Sequence, residues 1–63
     1  MPYENYVLWG HFYSFYAQTE LARLQKAYPT MDWILIHDTE ICYRNKDGSR
    51  PDGLPLPVKE TEQ

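Results

Sequence analysis

Trp33-Ile34-Leu35-Ile36-His37, running on into Cys42-Tyr43, is the most apolar stretch of the chain and the one on which its fold turns. β-branched and aromatic residues crowd it, the composition of a half-buried pleated strand, and the polar residues between its two halves mark a hairpin. With Thr39-Glu40 as a two-residue loop, Asp38 falls opposite Ile41, His37 opposite Cys42 and Ile36 opposite Tyr43. That register puts Ile34, Ile36, Ile41 and Tyr43 on one face and Trp33, Leu35, His37 and Cys42 on the other. Thr-Glu is not a favoured pair for so short a turn. A longer loop therefore stays open, and with it the face taken by each residue of the second strand.

Upstream lies the covering layer. Phe15 to Tyr28 is rich in good helix formers, and Ala17, Leu21, Leu24 and Tyr28 recur at helical spacing to make one apolar stripe. Ser14 offers an N-cap hydroxyl. Pro29 disfavours helical geometry at Tyr28 and ends the helix there. Before it, Tyr6 to Tyr13 (Tyr-Val-Leu-Trp-Gly-His-Phe-Tyr) reads as a strand, with Gly10 marking a bulge or a close approach. The order strand, helix, strand, strand predicts an α+β domain over residues 1–50. It is a small, mainly antiparallel three-stranded sheet with one helix packed on one face.

From residue 51 the composition changes. Leu54-Pro55-Leu56-Pro57 alternates leucine with proline, which favours an extended polyproline conformation, and the charged residues after it carry no apolar period. Residues 51–63 are expected to form a Pro-rich tail that adds little to the fold unless it covers an exposed aromatic face.

Length and charge narrow the function classes. A chain of 63 residues makes a single domain with a marginal core, the kind often completed by metal, disulfide or self-association. Cys42 is the one cysteine, so no disulfide forms within the chain, and a reducing, cytoplasmic setting is expected. No secretory pattern or membrane-length apolar run is present. Nine acidic against six scattered basic residues give a net charge of −3, with no basic stripe for nucleic acid.

The composition is unusual in its rings: two Trp, six Tyr and two Phe. A single helix covers a single sheet face. With the helix stripe on Ile34 and Ile36, the uncovered face carries Trp33 and Leu35. His37 lies on that face too, and Trp9, His11 and Tyr13 join it if the first strand has the matching parity. An exposed apolar face of that kind marks an interface.

The expectation is a non-enzymatic protein-binding module, a homodimer whose open faces pack together across a two-fold axis, with a protein partner besides. A stoichiometric inhibitor or adaptor of phage or mobile-element type is one form such a module takes. The competing class is a single-stranded nucleic-acid binder that stacks bases on the same aromatic face, against which the net charge argues. His11, His37 and Cys42, with Asp38 or Glu40, include imidazole and thiolate zinc ligands, but their spacing matches no zinc pattern and no cofactor is expected. Asp38 and Glu40 on a solvated turn, and a cysteine with histidines in a domain too small for a deep pocket, do not make a catalytic centre.

Overall fold

The computed structural model of the chain describes residues 3–53. Strand β1 (Val7–His11) leads into helix α1 (Ser14–Ala27), followed by β2 (Met31–Ile36) and β3 (Glu40–Asn45). The sheet order is β1-β3-β2, and β3 pairs antiparallel with both neighbours. This is the α+β fold expected from the sequence, an open antiparallel sheet with one helix on it. The Leu-Pro segment and the charged residues after it lie outside the described residues.

The face that α1 covers is the reverse of the one expected. In β2 and β3, Trp33 pairs with Tyr43, Leu35 with Ile41, and Ile36 with Glu40. Ile36 thus opposes residue 40 rather than 43, an odd shift of three residues, and an odd shift moves a strand's side chains to the opposite face. The physical cause is the turn. It spans His37, Asp38 and Thr39, with His37 (φ 52°) and Asp38 (φ 66°) both left-handed and the Thr39 N–H donating to the Ile36 carbonyl at 3.3 Å. Two successive positive-φ residues suit the right-handed twist of a hairpin, as in mirror-image turns.

The helix-side face therefore carries Met31, Trp33, Leu35, Ile41 and Tyr43. Leu24, Met31, Trp33, Ile41 and Tyr43 form the buried core, and Val7, Trp9, Phe12, Leu21, Tyr28 and Leu35 pack around it. Trp33 is only 6% exposed. Polarity explains the choice of face. Asp32 shares its side of β2 with Ile34 and Ile36, and Arg44 its side of β3 with Cys42. Putting Ile34 and Ile36 beneath the helix would have dragged that ion pair in as well, at a desolvation cost of several kcal/mol.

Local chemistry places the helix. The Tyr13 carbonyl accepts from the Tyr16 and Ala17 N–H groups at 2.9 and 2.8 Å, so Tyr13, not Ser14, occupies the N-cap position, and no side chain caps it. Ala17 and Leu24 are fully buried, with Leu21 and Tyr28 half-buried beside them. Glu20 also lies inward, because three residues after Ala17 and four before Leu24 it stands at the edge of the same stripe. Arg23 Nε and Nη2 donate to its carboxylate at 3.0 and 2.6 Å, and the Tyr16 hydroxyl donates at 3.2 Å.

Strand β1 holds the expected bulge. Its register slips between Leu8 and Gly10, leaving Trp9 as the extra residue. Trp9 therefore turns toward the helix side, in ring contact with Tyr28, Trp33 and Tyr43 at centroid separations of 5.3–5.7 Å. Beyond β3, a turn closed by the Gly48 N–H on the Asn45 carbonyl at 2.9 Å returns the chain over the sheet. There the Tyr43 hydroxyl donates to the Gly53 carbonyl at 3.4 Å.

Candidate interaction surface

Two surfaces stand without cover among the described residues. The first is the sheet face opposite α1. Leu8 pairs with Cys42, which pairs with Ile34, so these three form a row across the strands, with Ile36 one step along β2. Leu8 is 50% exposed in mid-strand, and Ile34 and Ile36 are half-buried. Cys42, in the middle of the row, is screened by its larger neighbours. Burial, with the Glu40 carboxylate adding to it, pushes the Cys42 thiol up from its ordinary value, so it stays protonated and inert at neutral pH.

Polar groups close the two ends of this face. At one end Arg44 lies between Tyr6 and Asp32. Its Nε donates to Asp32 Oδ2 at 3.1 Å, and its guanidinium carbon sits 4.4 Å from the Tyr6 ring centroid. The Tyr6 hydroxyl also donates to Asp32 Oδ2, at 2.8 Å, and burial together with this bond keeps the phenol protonated well into the alkaline range. At the other end His11 Nε2 meets Glu40 Oε2 at 3.1 Å. An aliphatic centre with charge pairs at its rim has the layout of a protein interface.

The second surface is an open notch of about 780 Å³ where β1 enters α1, lined by His11, Phe12, Tyr13, Phe15, Tyr16 and Thr39 among others. Tyr13 and Phe15 stack at 5.4 Å and 12°, and they are 76% and 84% exposed. Phe12 forms the floor. Its ring packs back over Gly10, where an added Cβ would come within 3.3 Å of a ring carbon, so the side chain missing at Gly10 is what gives Phe12 its seat. The Phe12 N–H donates to the Thr39 carbonyl at 2.8 Å, tying the notch to the β2–β3 turn.

These positions redistribute the six residues expected on one aromatic face. Trp33 is buried beneath α1, and Leu35 and Trp9 are half-buried on the same side, so none of the three belongs to the uncovered face. His11 does lie there, because the bulge at Trp9 breaks the parity the two would otherwise share. Tyr13 lines the notch, and His37 sits exposed in the turn. The open face is aliphatic at its centre, so it lacks the ring platform on which base stacking would depend. Phe15, Leu8 and Ile34 are the surface residues that sequence reasoning missed. Phe15 stands two residues, about 200° of helix, from Ala17 on the buried stripe, a signal that would have placed it outside.

No three metal-ligating side chains converge among the described residues. No helix there is long and apolar enough to cross a membrane. No family model matches the chain, and neither the curated proteins nor the solved structures include one similar to it.

Proposed function

We propose that this chain is a small, non-enzymatic protein-binding module of the cytoplasm that self-associates through its uncovered sheet face, acting as an adaptor or a stoichiometric inhibitor. The observation carrying this reading is Leu8, half-exposed in mid-strand and continued across the sheet by Cys42 and Ile34 with no layer over them among the described residues. A sheet is stable when both faces meet either water-compatible side chains or another layer. The described residues measure 14 Å through their thinnest axis, the depth of one helix on one sheet. A second copy placed face to face supplies the missing layer, and a two-fold axis sets the same residues against each other.

Area sets the strength. Three short strands spaced about 4.8 Å apart offer on the order of 300 Å² per copy, well below the roughly 800 Å² per partner of a tight complex. The association is accordingly weak and concentration-dependent, and open to displacement by another protein. Sedimentation velocity over a wide concentration range tests it. The parent chain should shift toward twice its 7.5 kDa mass as concentration rises, and Leu8→Glu should hold it monomeric. A parent that stays monomeric at millimolar concentration refutes the self-association.

A further inference from the structure

The notch between β1 and α1 lies beside the open face, with which it shares His11, and its chemistry points to a particular kind of ligand. We propose that it binds an arginine-bearing segment of a partner protein, with the guanidinium plane laid on the Tyr13–Phe15 stack and its N–H groups turned toward the carboxylates of Asp38 and Glu40, which flank the lining residue Thr39. The proposal rests on the reading of the chain as a protein-binding module but not on its self-association.

The first argument is the rings. Tyr13 and Phe15 lie nearly parallel and almost wholly in water, with Phe12 and Tyr16 a second pair 6.3 Å apart behind them. Their π-faces attract cations, and arginine, planar and weakly hydrated, stacks on such faces better than lysine does.

The second argument is charge. Residues 11–16 and 36–41, the segments that meet at this end, contain Asp38 and Glu40 and neither lysine nor arginine. Arg44 and Lys46 stand at the far end of β3, Lys26 in the last turn of α1, and Arg23 is engaged by Glu20. Asp38 has no hydrogen bond or ion pair within the described residues, and Glu40 shares one oxygen with His11. The N-terminus of α1 opposes a cation, but it amounts to about half a positive charge. Two carboxylates exceed it, and the Tyr16 and Ala17 N–H groups are already bonded to the Tyr13 carbonyl.

Titration of the full 63-residue chain with a capped tetra-arginine peptide, followed by aromatic and amide NMR shifts, tests the proposal. The Tyr13 and Phe15 ring signals and the Thr39 amide should move together and saturate. Phe15→Ala, at a position exposed enough to leave the fold intact, should weaken binding by about fivefold or more. Glu40→Gln should weaken it further and flatten its salt dependence, and a tetra-lysine peptide should bind less well than tetra-arginine. Shifts scattered over the remaining carboxylates with the rings unmoved would overturn the proposal. So would affinity indifferent to both substitutions, or tighter binding of an oligothymidylate to the same rings. Sedimentation of Phe15→Ala should match the parent, so a failure here is distinct from failure of the sheet-face dimer.

Discussion

The indole Nε1–H of Trp33 donates to the main-chain carbonyl of Tyr28 across 3.0 Å, tying the centre of β2 to the C-terminal end of α1. The Met31 N–H donates to the same carbonyl at 3.3 Å, so the indole adds a second bond just past the helix end and gives its own buried nitrogen the acceptor it needs. The Tyr28 ring packs on Trp33 as well, at 5.9 Å, so the helix stops where it is both bonded and covered. Removing the donor alone is therefore expected to be felt. Trp33→Phe should cost about 1–3 kcal/mol, combining the lost indole hydrogen bond with the lost volume, as read by denaturant titration.

Leu24 sits at the centre of the helix–sheet contact and is fully buried. Leu24→Ala should lower stability by about 2–5 kcal/mol, a large share of what a domain this size possesses. A melting temperature within a degree or two of the parent would mean that the helix does not pack as described.

The choice of face was the part of the fold hardest to read from sequence. Helix position, the order of elements along the chain and the bulge near Gly10 all follow from local periodicity and from residues with one strong preference, whereas the place of β3 at the centre of the sheet does not. Face assignment depends on hairpin register, and register depends on whether the turn holds two residues or three. The signal that would have decided it was polar rather than apolar. Asp32 lies two residues before Ile34, so it shares that side of β2 and argues against burying it. The notch was less legible still, because it joins the end of β1 to the β2–β3 turn, segments far apart in sequence. The inward position of Glu20 was not legible either, because a carboxylate on the buried stripe depends on Arg23 and Tyr16 to bond it there.

Glu20 makes stability depend on acid. The hydrogen bond from Arg23 holds its carboxyl below the ordinary value of 4.5, against the opposing effect of burial. A carboxyl depressed in the folded state contributes stability above its unfolded pKa and loses it as pH falls through the folded one. Unfolding free energy should therefore decline in the acid range below about 4.5, and Glu20→Gln should flatten part of that decline. At neutral pH the substitution should cost about 1 kcal/mol, a charge-assisted bond discounted for the exposure of Arg23.

The face-to-face dimer is the claim on which the functional account stands, and isotope-filtered NOE spectroscopy on a mixture of labelled and unlabelled chain tests it most directly. The account predicts intermolecular contacts among the methyl groups of Leu8, Ile34 and Ile36 at millimolar concentration, and their loss in Leu8→Glu. Intermolecular contacts confined to Tyr13 and Phe15, or none at that concentration, would contradict it.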